Sequence, residues 1–274
     1  MADTFYVPAG ADTWLATSHT IGPWDERAQH AGPPSALLGR AIQRCAPRDD
    51  MMVARFTCEI LGAIPVGEIQ VRARLARPGR SVELLEAVAS ADGREVARAT
   101  AWRVKRADAP RVAPRAEPPP PLPDQPSPGG AHSWPAVSRG WVDGYLSAIE
   151  WRAVRGHFTE PGPATVWARM RYPLVPGEQP GPLERVLAIA DSGNGASSEL
   201  DLREWLFINP ELTVHLHREA AGEWICLDAQ AVISPGGAGL ATSVLWDTTG
   251  QIGVGAQALL VARRPPPAGP GEPG

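Results

Sequence analysis

The sequence predicts an α+β protein made of two tandem halves, each with an antiparallel sheet wrapped around one central helix. A proline-rich segment divides the 274-residue chain into parts of similar size. Each part contains one amphipathic helix candidate followed by alternating strand candidates. The turn signals between these strands come in the same order in both parts, and a shared order indicates an internal repeat more reliably than single identities do.

One helix candidate precedes the main strands of each half. Residues 33–45, PPSALLGRAIQRC, carry apolar side chains on one face. In residues 182–191, PLERVLAIAD, apolar side chains recur at i, i+3, i+4 and i+7, the spacing of a helix face. Both segments begin with proline, which is well tolerated in a first turn. Further strands are expected before each helix, at residues 13–25 in the first half and at 145–156 and 163–175 in the second.

The main strand candidates are separated by matching turns. The first half contains Gly67-Glu68, Pro78-Gly79 and the turn ADG at 91–93, and the second contains Gly222-Glu223, Pro235-Gly236 and the turn TTG at 248–250. Asp-Gly at 92–93 is a strong signal for a two-residue hairpin. An antiparallel sheet that covers the preceding helix satisfies this pattern in each half.

Two proline-rich stretches set the expected domain boundaries. Residues 109–130 are too rich in proline for a helix or a central strand, so we predict an extended linker. Residues 265–274, PPPAGPGEPG, are predicted to be a disordered tail. The first half then covers residues 1–108 and the second covers residues 131–264.

Composition narrows the classes of function. The chain is 43% hydrophobic and 20% charged with a net charge of −4, which is typical of a soluble globular protein. Without a basic stripe, nucleic acid is not expected as a partner, and no apolar run approaches the roughly 18 residues of a membrane span. The first ten residues do not have the character of a signal peptide, so a cytoplasmic location is expected.

Common cofactor and nucleophile motifs are absent. The sequence contains no GxSxG, HExxH or P-loop motif, which argues against a serine hydrolase, a zincin and a P-loop nucleotide-binding protein. The three cysteines are odd in number and show no CxxC spacing, so neither a zinc site nor a disulfide framework is predicted. His215 and His217 share one face of a strand, but no third ligand follows at a suitable spacing, and we predict no metal site.

Four segments resemble the double hotdog fold of acyl-CoA thioesterases, and more narrowly the bacterial type II enzymes and their thioesterase-like relatives. They are HAGPPSALLGRAI at 30–42, LAIADSGNG at 187–195, FINPELTVHLHR at 207–218 and GQIGVGAQALLVARR at 250–264. The resemblance covers nearly the whole chain apart from the linker and tail. It implies a thioester hydrolase of lipid metabolism that uses no metal or organic cofactor, with CoA as part of the substrate.

The resemblance also implies a catalytic group. Type II thioesterases hold and activate a water with an aspartate, a threonine or serine, and a glutamine. Asp191 and Gln257 match two of these positions, whereas the hydroxyl position falls on Asn209 and the nearest hydroxyl is that of Thr213. An asparagine can still orient a water, because its side chain contains both a donor and an acceptor. The departure leaves open whether hydrolysis is retained.

The chemistry expected of Asp191 is that of a general base. It lies at a helix C-terminus, where the dipole disfavours negative charge, and partial burial would raise its pKa further. The resemblance implies that the start of the first helix faces Asp191, where backbone N–H groups at His30, Ala31 and Gly32 could stabilise an oxyanion. His30, Gly32 and Thr213 are therefore predicted to bind substrate.

One site per chain is expected, because the first half lacks the acidic residue. Ile42 or Gln43 stands there in place of Asp191, and Thr100 is expected opposite Gln257. A purely structural role of the predicted residues also stays open. An aspartate before Ser-Gly-Asn-Gly, for example, is common in turns.

Two other functions of the same fold stay open. One is a non-catalytic acyl-binding protein. The other is an enoyl or 3-hydroxyacyl thioester hydratase, which ranks last because nothing after Asp191 supplies the histidine that such enzymes use. A monomer and a homodimer are both compatible with the sequence, and the homodimer is favoured.

Overall fold

The computed structural model describes residues 3–108, 117–126 and 140–264. The first half contains β1 (Tyr6–Pro8), β2 (Thr13–Ala16), a 3-10 helix (Ser18–Thr20), α1 (Gly32–Arg44), β3 (Met51–Ile60), β4 (Glu68–Arg77), β5 (Val82–Ala91) and β6 (Arg94–Lys105). The second contains α2 (Gly140–Asp143), α3 (Tyr145–Ala148), β7 (Ile149–His157), β8 (Glu160–Met170), α4 (Pro182–Ala190), α5 (Gly193–Ala196), β9 (Trp205–Ile208), β10 (Glu211–Leu216), β11 (Ile225–Ile233), β12 (Ala238–Asp247) and β13 (Gly250–Arg263). No helix among the described residues is long and apolar enough to cross a bilayer.

The strand order shows the internal repeat directly. The sheet of the first half runs β1-β2-β4-β5-β6-β3, and that of the second runs β7-β8-β11-β12-β13-β10. The two sheets join where β3 and β10 pair antiparallel, with Thr57 opposite Thr213. The hairpin between β5 and β6 turns at Asp92 and Gly93, which both have positive φ angles. The predicted fold class, two tandem antiparallel sheets each wrapped around a helix, is confirmed.

The two long helices pack against each other at the centre, where they run antiparallel. Apolar residues of both helices are buried in one core with the inward side chains of the sheet; they include Leu37, Leu38, Ile42, Leu183, Val186, Leu187, Phe56 and Val214. Glycine makes the close approach possible. A Cβ at Gly39 would lie 2.5 Å from Leu187 Cδ1, and one at Gly32 would overlap the carbonyl oxygen of Ala188. The start of α1 is therefore held directly against the end of α4.

Local structure departs from the expected strands before each helix. Residues 13–25 form a strand only as far as Ala16, because the Thr17 hydroxyl accepts a hydrogen bond from the His19 N–H and starts a 3-10 turn. Residues 145–148 form the short helix α3 instead of a strand. The strand predicted at 163–175 begins and ends earlier, as β8. The elements β1, α5 and β9 were not predicted, because three or four residues are too few to show a periodic pattern.

Part of the predicted linker lies on the second half. The carbonyl oxygens of Pro121 and Pro123 accept hydrogen bonds from Trp167 Nε1 at 3.2 Å and Arg152 Nη1 at 2.7 Å. Leu122 packs against a small cluster of Trp167, Cys226 and Trp246. Residues 109–116, residues 127–130 and the predicted tail at 265–274 lie outside the described residues, so the domain boundaries stay a prediction.

The helix contact makes a prediction about Gly32. Gly32→Ala is expected to lower the free energy of unfolding by about 1–3 kcal/mol, because the added methyl group meets backbone that cannot move aside. Gly67→Ala is the matched control, since a Cβ there would have no neighbour within 4 Å. Urea unfolding of both variants checks this. Equal destabilisation by the two substitutions would contradict the close helix contact.

Candidate active site

Asp191 is the residue that closes α4, and its side chain is buried. It is 2% exposed and adopts helical backbone angles as the C-cap, after which the chain turns into α5. The contact between α1 and α4 places it beside the loop that precedes α1. A carboxyl group at this point lies between the two halves, within reach of side chains from both.

Two amides from the second half hold one carboxyl oxygen. Asp191 Oδ1 accepts hydrogen bonds from Asn209 Nδ2 at 2.8 Å and from Gln257 Nε2 at 3.2 Å. Gln257 Nε2 also lies 3.0 Å from the backbone carbonyl oxygen of Asp191. The other end of this amide is held as well, because Gln257 Oε1 accepts from the Asn194 N–H at 3.0 Å. The three residues predicted to act together are thus brought into direct contact.

His30 of the first half meets the other carboxyl oxygen. Its Nδ1 lies 3.2 Å from Asp191 Oδ2, and the Gly32 N–H points to the same ring nitrogen at 3.1 Å. The ring of His30 stacks on Tyr145, with ring centroids 3.8 Å apart. The Tyr145 hydroxyl donates to the Ala188 carbonyl oxygen at 2.7 Å, which ties this stacked pair to the last turn of α4.

Burial controls the protonation of this pair. It raises the pKa of Asp191 to about 7, although hydrogen bonds from Asn209, Gln257 and the Gly32 N–H act in the opposite direction. Burial also lowers the pKa of His30 to about 3, so the imidazole is neutral near neutral pH. The Gly32 N–H donates to His30 Nδ1, so in the neutral ring Nδ1 is the acceptor and the proton lies on Nε2. When Asp191 is protonated, its own O–H can donate to Nδ1.

A small cavity opens beside these groups. Its volume is about 30 Å³, and it is lined on one side by His30, Ser192 and Asn194. A buried water needs at least about 10–15 Å³ of accessible space and two to four polar partners. The cavity therefore has the room and the polar wall that a water requires.

The structure places the remaining predicted residues differently. The Thr213 hydroxyl lies 3.2 Å from Thr57 Oγ1 and 3.0 Å from Glu211 Oε2, in the joint between the two sheets. The His30 N–H donates to the Thr20 carbonyl oxygen at 2.8 Å, and the Gly32 N–H to His30 Nδ1. Of the three predicted oxyanion donors, only the Ala31 N–H makes no hydrogen bond among the described residues.

The counterpart of Gln257 in the first half is Ala101, which corrects the expected Thr100. Thr57 and Thr213 face each other in the central pair, and they pair with Thr100 of β6 and Ala256 of β13. Thr100 therefore occupies the position of Ala256, and the next residue, Ala101, occupies that of Gln257. Because alanine cannot replace the glutamine amide, the first half lacks this partner as well.

Three residues of the site were missed in the sequence. Asn194, which fixes Gln257, lies inside the segment LAIADSGNG, where the run Gly-Asn-Gly was the available signal. Ser192 lies in the same segment and contacts the Tyr145 hydroxyl at 2.8 Å. Tyr145 had no signal, because its contact with His30 joins residues far apart in the chain.

Metal ligation finds no support in the described part of the chain. No group of three histidine, cysteine, aspartate or glutamate side chains there is arranged to hold an ion. His215 is exposed and pairs with Arg55 and Val254 on the neighbouring strands.

The buried carboxyl predicts a pH-dependent stability. Between its ordinary pKa of 3.8 and about 7, Asp191 ionises in the unfolded chain but stays protonated in the folded one. The free energy of unfolding therefore falls as pH rises through this window, by about 4 kcal/mol. Asp191→Asn resembles the protonated form and removes this loss. Its stability relative to wild type is expected to increase from pH 4 to pH 7 and then to level off, as measured by thermal unfolding.

Asp12→Asn is the matched control for that measurement. The Asp12 side chain is 55% exposed and pairs with the exposed Arg72, so this substitution removes a surface carboxyl in place of a buried one. Parallel pH curves for wild type and Asp191→Asn would contradict the raised pKa.

Family models match both halves of the chain. Residues 20–104 match an acyl-CoA thioesterase N-terminal domain, and residues 114–261 match an acyl-CoA thioesterase C-terminal domain. No curated protein matches the chain.

Solved structures share the fold over nearly the full length. A candidate thioesterase from Novosphingobium aromaticivorans DSM 12444 is 21% identical, with 93% of this chain and 98% of that chain covered and a TM-score of 0.71. A candidate thioesterase II from Thermobifida fusca YX is 18% identical, with coverages of 95% and 96% and a TM-score of 0.68. The acyl-CoA thioesterase II TesB2 from Mycobacterium marinum is 16% identical, with coverages of 97% and 97% and a TM-score of 0.63. The chain therefore belongs to the acyl-CoA thioesterase family and has its double hotdog fold.

Proposed function

We propose that this protein hydrolyses an acyl-CoA or a related thioester, with Asp191 as the general base. The observation that supports the proposal most is the buried carboxyl with a pKa of about 7, held by two amides beside a cavity with room for a water. A general base is most effective when its pKa lies near the working pH. Family membership supports a thioester as the substrate.

The reaction needs only the groups at this site and a water molecule. Ionised Asp191 takes a proton from the water as the water oxygen attacks the thioester carbonyl carbon. The carbonyl oxygen becomes an oxyanion, for which the Ala31 N–H at the start of α1 is the candidate donor. When the tetrahedral intermediate collapses, the carbon–sulfur bond breaks. The thiolate takes the proton back from Asp191, and the free acid and thiol leave.

Asn209 and Gln257 act in this proposal by holding the base. Both amides donate to the same oxygen, so Oδ2 is left to face His30 and the reacting water. In place of a hydroxyl, Asn209 presents an amide whose nitrogen contacts the carboxyl at 2.8 Å and also donates to the Glu211 carbonyl oxygen at 3.1 Å. This geometry supports an active site in which the asparagine replaces the family's hydroxyl.

The partner, the cofactors, the location and the oligomeric state are part of the same proposal. The partner is a small-molecule acyl thioester, no metal or organic cofactor takes part, and the location is cytoplasmic. A homodimer is supported by exposed apolar side chains that share one face of the second sheet, namely Val232, Leu240 and Leu260. An uncharged patch of this kind can meet its own copy without repulsion between like charges.

Thiol release tests the proposed reaction. Wild type is expected to release free thiol from at least one member of a panel of acyl-CoAs, short to long and branched to aromatic. Asp191→Asn should lower kcat by about 10²–10⁴-fold, because the base is lost while its hydrogen-bonding partners keep an acceptor. Asp12→Asn is the control and should retain full activity.

Two outcomes would contradict this account. No thiol release by wild type, together with thermal stabilisation by acyl-CoA, would indicate a binding protein. Conversion of an enoyl-CoA without thiol release would indicate a hydratase, for which His30 supplies an imidazole beside Asp191 from the first half rather than from the loop after Asp191.

A further inference from the structure

Three cavities lie in a row next to the candidate site, along the segment that connects α5 to β9. The first is the cavity of about 30 Å³ beside His30. The second, of about 290 Å³, is lined by residues 158–161 and by residues of the segment 198–203. The third, of about 520 Å³, lies between this segment and the ends of β11 and β13.

Single side chains divide the row. Phe158 and Leu202 line both the first and the second cavity. Leu200 lines both the second and the third. These shared side chains stand between neighbouring cavities, and we call Phe158 and Leu202 the partition between the first and the second.

The first cavity has two chemically different walls. His30, Ser192 and Asn194 form the polar wall on the side of Asp191, and Trp24, Leu146, Phe158 and Leu202 are among the apolar residues of the rest. A thioester has a polar carbonyl and an apolar acyl chain, so the two walls match its two parts. An acyl chain whose carbonyl lies at the polar wall would point at the partition made by Phe158 and Leu202.

The two side chains of this partition, Phe158 and Leu202, differ in how firmly they are packed. The Phe158 ring is buried and packs edge-on against Trp151, with ring centroids 4.8 Å apart. Leu202 is only partly buried and belongs to the segment between α5 and β9, where the chain forms turns rather than a helix or strand. Leu202 packs against the edges of two apolar clusters, so Leu202→Ala removes less buried packing than a change at Phe158 would.

We propose that Leu202, backed by Phe158, is the end wall of the acyl pocket and limits the wild-type protein to short acyl chains. The inference rests on the proposed function, because it assigns a substrate class to the same site. The first cavity, of about 30 Å³, is small, so only a short acyl group fits in front of Leu202. Beyond Leu202, the second cavity has about ten times that volume and would accept a longer chain.

The test compares Leu202→Ala with Leu200→Ala on acetyl-, butyryl-, hexanoyl-, octanoyl- and lauroyl-CoA. The two leucines lie on the same segment, but only Leu202 borders the cavity at the site. Wild type is expected to lose kcat/KM by about tenfold or more between butyryl- and lauroyl-CoA. Leu202→Ala should raise the ratio of lauroyl to acetyl activity by about tenfold or more, and Leu200→Ala should leave it within about twofold.

A variant that makes the first cavity smaller keeps the test informative if Leu202→Ala does not fold. Gly195 also lines the first cavity, and a Cβ there would lie 3.6 Å from Phe158 Cε1, an ordinary contact. Gly195→Ala is therefore expected to fold and to narrow the preference further towards acetyl-CoA. A wild type that prefers lauroyl-CoA, or equal shifts by Leu202→Ala and Leu200→Ala, would overturn the inference while leaving thioester hydrolysis intact.

Failure of the proposed function gives a different result. If wild type hydrolyses none of these esters, the pocket is tested by thermal unfolding with free fatty acids of the same chain lengths. A gain in stabilisation by lauric acid in Leu202→Ala, but not in Leu200→Ala, would support the end wall. No difference between the variants would overturn it.

Discussion

The antiparallel contact between α1 and α4 is the constraint on which the candidate site depends. Each half alone provides a helix under a sheet, but Asp191 comes from the end of one helix and His30 and Gly32 from the start of the other. Glycine at positions 32 and 39 lets the two backbones approach until these ends touch. The pairing of β3 with β10 holds the same two halves together through the sheet. The geometry of the candidate site and the packing of the two halves therefore depend on the same contact.

The same helix contact also buries the side chain of Asp191. A buried carboxylate costs free energy unless it is well hydrogen-bonded. Three donors surround Asp191, yet burial still outweighs them and holds its pKa near 7. The folded protein is therefore less stable above this pH, and it holds a carboxyl that is half ionised at neutral pH. Such a loss of stability fits the proposed role of Asp191 as a base.

Much of the architecture could be predicted, because it follows from periodic patterns. The two helices, the four main strands that follow each of them and the hairpin at Asp92-Gly93 depend on local sequence, and the repeat of their order identified the fold. Asp191 and Gln257 were found through the same resemblance. Their mutual hydrogen bond, with an N···O distance of 3.2 Å, agrees with the shared role that we propose for them.

Other parts of the site could not be predicted, because they depend on contacts between distant residues. Tyr145 stacks on His30 across more than a hundred positions of sequence, and no local pattern marks it. Thr213 has the right chemistry and strand parity, but the register of the central strand pair places its hydroxyl against Thr57 and Glu211. The partition at Leu202 arises from a segment without regular structure, whose path only the fold reveals.

The most direct test of the central claim is the pH dependence of kcat/KM for the best acyl-CoA substrate. With Asp191 as the base, kcat/KM is expected to fall about tenfold per pH unit below an apparent pKa near 7 and to reach a plateau above it. The imidazole of His30 stays neutral over this range and should add no second step. A profile that is flat from pH 5 to pH 8, or that bends near pH 4, would contradict a buried Asp191 as the catalytic base.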